Sequence, residues 1–296
     1  MLRARHKAAF ALVMAVAVPS FAHAGVIANF QAADYTTGFS TWVDRASGVA
    51  AAATGSPIGN GGSVNTTHGA FSFNTGSVPG FNGLTSYTIA VGFTANSVTG
   101  GGSDFYQGTG VAGGDIPNAG QGDLGLTLTT DGGNQIVFGI GVGNGSGGQG
   151  GDINDYDTVP ANGGTFALNA PMGAVLVVNG ATGDVTLYVN GAVTTQPGTT
   201  NRAGAINPVG INFNDNGHID GFTFGIGQVV GGSGGTVPLP GDVTQLQIYN
   251  SALDPTSAAA LSSTVALPSS PVPEPASLSL LALGALGLGV RSRRRA

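Results

Sequence analysis

The apolar residues of this chain come in short runs that Gly, Asn or Asp interrupts every few positions. Typical runs are residues 87–93 and 185–189, and turn sequences such as Asp131-Gly132 and Asn190-Gly191 lie between such runs. β-branched and aromatic residues favour strands, and Asn-Gly or Asp-Gly favours tight hairpin turns. The pattern therefore predicts an all-β, antiparallel β-sandwich or jelly roll. Further strands are predicted over residues 124–129, 135–140, 175–178, 222–226 and 243–249.

One helix is predicted late in the chain, after the last of these strands. Asp254 suits its N-cap, Pro255 its first turn, and residues 257–261 its continuation. The expected fold is thus a sandwich with one short C-terminal helix after the last strand, plus a terminal apolar anchor helix.

Residues 1–24 have the layout of a secretory signal peptide. Arg3, Arg5 and Lys7 precede an apolar stretch over residues 8–18, which is too short to span a bilayer permanently. Small residues at Ala22 and Ala24 form an A-x-A cleavage site. We expect cleavage after Ala24, so that the mature chain begins at Gly25.

The last 26 residues, 271–296, contain three blocks in a fixed order. The Pro-rich block, residues 271–275, ends a linker expected over residues 266–275. An uncharged apolar helix is expected over residues 276–290, and an Arg-rich cytoplasmic tail over residues 291–296. Such a helix spans roughly 22 Å, short of the ~30 Å bilayer core, but terminal arginines snorkel to the interface and hold this end in the cytoplasm. The alternative, a buried terminal helix of a soluble domain, is disfavoured by the uncharged surface that it would expose. The residues that define the motif are Pro273, Glu274, Pro275, Arg291, Arg293, Arg294 and Arg295.

This tail resembles the PEP-CTERM sorting tail of exported proteins in Gram-negative, often exopolysaccharide-producing bacteria. The resemblance implies transient insertion in the inner membrane and processing near Pro273-Glu274-Pro275 by an exosortase, a membrane protease. It covers the tail alone, and it indicates a destination at the cell surface or in the extracellular matrix.

The composition of the span between the signal peptide and the C-terminal tail restricts the kinds of partner that the protein can bind. Residues 25–270 hold 14 Asp, no Glu, and two basic residues, Arg45 and Arg202, which gives a formal charge of −12. Nucleic-acid binding relies on Lys and Arg, so this span argues against a nucleic-acid partner. An acidic surface of this kind favours solubility and the binding of cations. The chain has no Cys, so its core must stabilise the fold without disulfides.

Catalytic patterns are missing from the same span. Glycosidases commonly use two carboxylates, and with no Glu before Glu274 only Asp pairs remain. Serine chemistry needs a base, and only His68 and His218 are left outside the signal peptide. There is no G-x-S-x-G, H-E-x-x-H or phosphate-binding loop with a Lys. We therefore expect a protein that is not an enzyme.

Three segments resemble LamG-like, concanavalin A-like jelly-roll domains. Their W-x-D-x-S-G opening is similar to residues 42–48, which have one extra residue before Ser47-Gly48. Their Y-x-N-G hairpin is similar to residues 185–191, and their closing strand is similar to residues 241–254. The resemblance implies one such domain over residues 25–265. The Gly-rich stretch 100–171 departs from it, and there we expect long loops. Trp42 is expected in the core or as a plug at a strand edge.

Two acidic segments are candidate calcium sites, because Ca²⁺ takes several oxygen ligands from flexible loops. The denser segment packs its carboxylates within six residues of a predicted loop, where a divalent ion would relieve their repulsion. The alternatives are a solvated acidic loop and, for the second segment, an Asn-Gly turn. The candidate ligands are Asp152, Asn154, Asp155 and Asp157, followed by Asn214, Asp215 and Asp220.

Sugar binding is what the LamG-like resemblance implies, with an aromatic ring stacked on the sugar and Asp or Asn bonded to its hydroxyls. Tyr106 and Tyr156 lie in predicted Gly-rich loops near Asp104 and Asp155. The alternative is that both tyrosines anchor their loops.

Three functional hypotheses follow from the sequence. The first is a non-catalytic, surface-delivered module that binds polysaccharide or matrix, with calcium as a candidate cofactor. The second is a structural or adhesive biofilm matrix protein without a sugar site, which the Gly-rich stretch favours. The third is an Asp-based glycoside hydrolase, which needs a buried Asp pair about 5–9 Å apart in a cleft.

Overall fold

A computed structural model describes residues 25–74, 77–81, 84, 86–98, 108–114, 124–130, 136–142, 153–160, 166–182, 184–195, 221–224 and 239–268. Within these ranges the chain forms sixteen strands and one α-helix, α1 (Pro255–Val265). The strands are β1 (Val26–Gln31), β2 (Thr41–Val43), β3 (Ala50–Gly55), β4 (Ile58–Gly59), β5 (Val64–Asn65), β6 (Gly69–Asn74), β7 (Tyr87–Ala95), β8 (Thr109–Gly114), β9 (Leu124–Thr130), β10 (Ile136–Val142), β11 (Ile153–Pro160), β12 (Pro171–Asn179), β13 (Asp184–Val189), β14 (Ala192–Thr195), β15 (Gly221–Phe224) and β16 (Gly241–Tyr249).

The strands form two antiparallel sheets. Sheet I has the order β2-β3-β6-β15-β8-β9-β10-β11, and sheet II has the order β14-β13-β12-β7-β16-β5-β4, with β1 paired to β16 beside β5. A short pairing of β11 with β14 connects the two. The first and last strands of the fold are therefore neighbours in sheet II.

The two sheets pack face to face over one shared core. The Phe30 ring of β1 stacks on Phe73 of β6 at a centroid distance of 5.4 Å, and Phe93 of β7 meets the edge of Phe138 of β10 at 6.2 Å. Each pair joins one sheet to the other. The largest fully buried side chains lie in this layer: Trp42, Phe30, Phe71, Phe81, Phe93, Phe138 and Ile89. Residues from both sheets thus exclude water from a single interior.

Helix α1 covers part of the outer face of sheet II. A second apolar cluster joins strand residues Ala90, Val175, Val177 and Tyr188 to Ala258 and Val265 of the helix. Strands β7 and β12 are consequently buried on both faces, which explains their nearly continuous apolar sequences. The outermost layer on this side is therefore α1.

Two glycines let the C-terminal end of α1 approach the sheet closely. Gly92 of β7 and Gly173 of β12 are paired across the strands. A Cβ added to Gly92 would lie 1.7 Å from the carbonyl oxygen of Val265, and one added to Gly173 would lie 2.0 Å from that of Ser262. Only residues without a side chain fit at this contact, which we call the glycine seat.

Polar contacts complete the glycine seat. The Thr244 hydroxyl donates to the Val265 carbonyl at 2.9 Å, and the Gly191 amide donates to the Ser262 hydroxyl at 2.8 Å. Asn190 and Gly191 both have positive φ, 49° and 87°, in the two-residue turn between β13 and β14. This is the geometry that an Asn-Gly hairpin favours, and it points the Gly191 amide at the helix.

Several sequence predictions are confirmed. The strands at 87–93, 124–129, 175–178, 185–189 and 243–249 are present, and the strands predicted at 135–140 and 222–226 are described over β10 and β15. Helix α1 begins after its predicted cap, where the Asp254 carboxylate accepts the Ser257 amide at 3.0 Å. The prediction of long loops over residues 100–171 is wrong in part, because β8 to β11 lie within that stretch. In the described part of the chain, no helix has the length and apolarity needed to cross a membrane.

Candidate functional site

Most of the residues singled out from the sequence lie outside the described ranges. This holds for both signal segments with Ala22 and Ala24, for all the sorting residues, and for ligand candidates Asp104, Tyr106, Asp152, Asn214, Asp215 and Asp220. His68, one of the two candidate bases, is described and exposed.

The first acidic segment lies on a strand instead of a loop. Residues 153–160 form β11, in which Asp155 pairs with Ile140 and Asn154 with Gly141 of β10. The loop prediction for Asn154, Asp155, Tyr156 and Asp157 is therefore wrong, although calcium binding there stays a prediction. Within the ranges that the structure describes, no three His, Cys, Asp or Glu residues group as metal ligands.

Trp42 serves the core, as predicted. Its side chain is fully buried and meets the edge of Phe71 at a centroid distance of 5.0 Å. Its indole Nε1 donates to the Gln31 carbonyl at 3.0 Å, so the ring also satisfies a backbone group of β1. Trp42 is consequently unavailable as a stacking platform for a ligand.

Asp44, from the same motif, organises the turn after β2. Its buried carboxylate accepts the amides of Ala46 at 2.9 Å and Ser47 at 2.6 Å, and also the Ser47 hydroxyl and the Asn29 amide. The Asn29 contact lies on the side of β1 that faces away from β16. The motif therefore has a structural role, which is to close the turn and cover the edge of β1.

The other described carboxylates also have partners. Asp34 forms a bidentate pair with Arg45, at 2.5 and 2.7 Å, and this hydrogen bonding raises the pKa of the Arg45 guanidinium. Asp184 accepts the Thr182 hydroxyl. Asp242 accepts the Asn65 amide at 3.2 Å, and Asp254 caps α1. Each carboxylate whose side chain is described thus has a contact within the fold.

An uncharged polar row crosses β1 and β16 on the outer face of sheet II. Alternate residues of these strands, Phe30, Leu246 and Ile248, enter the core between the sheets. The row lies on the opposite face, the one that α1 partly covers, because Gln247 pairs with Ala90 of the helix-covered cluster. We call it the polar ladder, and its members are Asn29, Gln31, Gln245, Gln247 and Tyr249.

Hydrogen bonds link all five members of the polar ladder. Gln31 Nε2 donates to Asn29 Oδ1 at 2.5 Å and to Gln245 Oε1 at 2.9 Å. Gln247 Nε2 donates to the same Gln245 oxygen at 3.2 Å, and the Tyr249 hydroxyl donates to Gln247 Oε1 at 2.6 Å. Strand register makes this possible, since Gln31 lies opposite Gln245 and Asn29 opposite Gln247.

Burial divides the polar ladder into a floor and a rim. Gln31 and Gln245 are only 7% and 8% exposed, whereas Asn29, Gln247 and Tyr249 are half-buried. Burial raises the pKa of Tyr249 to about 12, so its hydroxyl remains a donor at neutral pH. Gln31 and Gln245 thus form the buried floor of the polar ladder, and Asn29, Gln247 and Tyr249 form its half-buried rim. Sequence reasoning missed this site, because only the pairing of the first strand with the last brings the five residues together.

Comparison with known families identifies the tail. Residues 271–295 match the PEP-CTERM protein-sorting motif. The motif marks an exported protein that is sorted to the cell surface in Gram-negative bacteria and processed by an exosortase. The search of curated proteins finds no match to the chain.

Solved structures resemble the backbone at low identity. Domain 4 of AbnA, a GH43 extracellular arabinanase from Geobacillus stearothermophilus in complex with arabinotriose, is 14% identical with a TM-score of 0.48, over 81% of this chain and 98% of that one. Trypanosoma rangeli sialidase in complex with sialic acid is 17% identical with a TM-score of 0.49, and the match covers 82% of this chain but 33% of the sialidase. A heptameric SAP-like pentraxin from Limulus polyphemus is 15% identical with a TM-score of 0.39, and the match covers 63% of this chain and 71% of the pentraxin. At these scores the likeness carries no functional argument.

Proposed function

We propose that this exported chain is a non-catalytic binding module, a jelly roll of the concanavalin A-like kind, that holds polysaccharide at the cell surface. The observation that carries the proposal is the use of acidic side chains. Every carboxylate whose side chain is described contacts the fold itself, and Glu is absent from residues 25–270. Among the side chains that the structure describes, amide and hydroxyl groups remain as the chemistry for recognition.

The described carboxylates are poorly suited to catalysis. A glycosidase needs one carboxyl as acid and another as base or nucleophile on either side of the bond. Asp44 accepts four hydrogen bonds and Asp34 is paired with Arg45, so neither is available as a free base. This supports binding over hydrolysis. Calcium, if it assists, would use the acidic segment at Asp152, Asn154, Asp155 and Asp157.

Native affinity electrophoresis tests the binding proposal. The purified exported protein is run through gels that contain a neutral polymer (dextran, galactomannan or arabinan) or the polyanion alginate, each with calcium or with a chelator. We expect at least one neutral polymer to slow the protein, with no reducing sugar released on prolonged incubation. Release of reducing ends would favour the hydrolase, and unchanged mobility in every gel would favour the matrix protein without a sugar site.

Sorting is tested separately from binding. Glu274 is the only Glu in the chain and lies inside the sorting motif. We expect Glu274→Ala to block tail processing in a strain with an exosortase while the melting temperature stays unchanged, because the folded strands end well before residue 274. Normal processing of Glu274→Ala on immunoblots would show that this carboxylate is dispensable for sorting.

A further inference from the structure

We propose that the polar ladder is the polysaccharide site and that it takes a neutral polymer through its hydroxyl groups. The inference rests on the proposed function and adds to it the place and the chemical class of the ligand. The site lies on sheet strands β1 and β16, outside every loop that the sequence singled out.

The hydrogen bonds of the polar ladder leave two buried groups for a ligand. Gln31 uses its Nε2 for two bonds, and its Oε1 accepts from no described group. Gln245 uses its Oε1 to accept two bonds, and its Nε2 donates to no described group. Both side chains are more than nine-tenths buried. Leaving such groups without partners is unfavourable, so a ligand that satisfies both gains affinity.

A sugar fits this pair of groups because each hydroxyl both donates and accepts. One hydroxyl can accept from Gln245 Nε2 while its neighbour donates to Gln31 Oε1. The half-buried rim of Asn29, Gln247 and Tyr249 adds further amide groups and the face of one aromatic ring. A row of this kind suits successive residues of a polymer better than a single small molecule.

Charge favours a neutral polymer over an acidic one. All five residues of the polar ladder are uncharged at neutral pH, and the exported span carries a formal charge of −12. A polyanion would be repelled by the domain as it approached and would find no Lys or Arg within the ladder to pair with. A neutral polymer avoids both costs.

Helix α1 defines one boundary of the site. The Thr244 hydroxyl, which bonds the helix end, precedes Gln245 directly, and Gln245 pairs with Gly92 of the glycine seat. The polar ladder therefore begins where the helix-covered half of the sheet face ends. A polymer lying along it would contact the C-terminal end of α1 on one side.

Variants of the polar ladder test the assignment by the same affinity electrophoresis, in whichever neutral polymer slows the wild type. We expect Gln31→Leu/Gln245→Leu to weaken binding at least about tenfold, since it removes both polar partners of the ligand, and Gln247→Ala to weaken it about two- to tenfold. Apolar replacement of both floor residues removes their buried polar groups, and the partners that they lose, Asn29 and Gln247, are half-buried and can bond to water, so the fold is expected to survive. Thr186→Ala, on β13 of the same sheet but outside the ladder, is the matched control and is expected to bind as the wild type does.

The outcomes separate this inference from the proposed function. Wild-type retardation that persists in both ladder variants would overturn the ladder as the site while the binding function stands. No retardation of the wild type by any polymer would remove the function and the site together. Stronger retardation by alginate than by every neutral polymer would overturn the neutral class. If the double variant melts far below the wild type, the binding of Gln247→Ala is the test of the site, because that residue is half-buried and its replacement is expected to leave the fold intact.

Discussion

The outer face of sheet II has two halves that share strands but differ in chemistry. On β7, β12 and β13, small and apolar residues meet α1, and the glycine seat brings backbone against backbone. On β1 and β16, amides and one phenol bond to each other in the polar ladder. The half under the helix is therefore apolar and close-packed, whereas the half with the polar ladder presents amide and hydroxyl groups.

The largest effect is expected at the glycine seat. Gly92→Ala would place a methyl group 1.7 Å from the Val265 carbonyl, a backbone atom that cannot move without displacing α1. We expect a loss of about 3 kcal/mol or more in the free energy of unfolding, measured by urea denaturation. The control is Gly48→Ala, where the added methyl meets open space and only the positive φ of 76° costs about 1–2 kcal/mol. Equal losses in the two variants would show that helix and sheet are not in close contact.

A smaller effect is expected from the hydrogen bond at the end of the helix. Thr244→Val keeps the shape of the side chain but leaves the Val265 carbonyl without the hydroxyl donor at 2.9 Å. The site is buried, so we expect a loss of about 1–2 kcal/mol by the same measurement. Thr186→Val, at a half-buried position of the same sheet, should change stability by less than about 0.5 kcal/mol. If the two variants were equally stable, the Thr244 bond would contribute nothing.

The polar ladder predicts a pH dependence at alkaline pH. Burial raises the pKa of Tyr249 to about 12 in the folded protein, above the ordinary value of 10.0. The protonated phenol is favoured by folding, so its contribution is complete below pH 10 and is lost as the pH rises towards 12. Tyr249→Phe should reduce the alkaline loss of stability seen in the wild type. Identical alkaline unfolding curves would place Tyr249 in water and not in the ladder.

The smallest effect is expected at the beginning of α1. Hydrogen bonds from the Ser257 hydroxyl and amide lower the pKa of Asp254, which is exposed. Its contribution is therefore present above the ordinary pKa of 3.8 and is lost as the pH falls through the lower folded value. Asp254→Ala should lower the melting temperature slightly at pH 7 and leave it nearly unchanged at pH 2. An equal loss at both pH values would mean that the charged cap is irrelevant.

The helix-covered half was largely predictable from the sequence, and the polar ladder was not. Asp254-Pro255 is a local start signal, and the apolar runs of β7 and β12 predict buried strands wherever they lie. Gln31 and Gln245 are 214 positions apart, and nothing in either segment specifies that they face each other. The Asn- and Asp-rich segment 152–157 has turn-like composition, yet pairing with β10 makes residues 153–160 a strand.

The pairing of β1 with β16 has a consequence for export. The first strand of the domain hydrogen-bonds to the last, so sheet II cannot be completed until almost the whole domain has emerged from the export channel. Contacts so distant in sequence form slowly, because the long intervening chain must first be ordered. Twenty-one residues, which include α1, lie between Tyr249 at the end of β16 and the sorting tail that begins at Pro271. The strand that completes sheet II therefore emerges only shortly before the sorting tail.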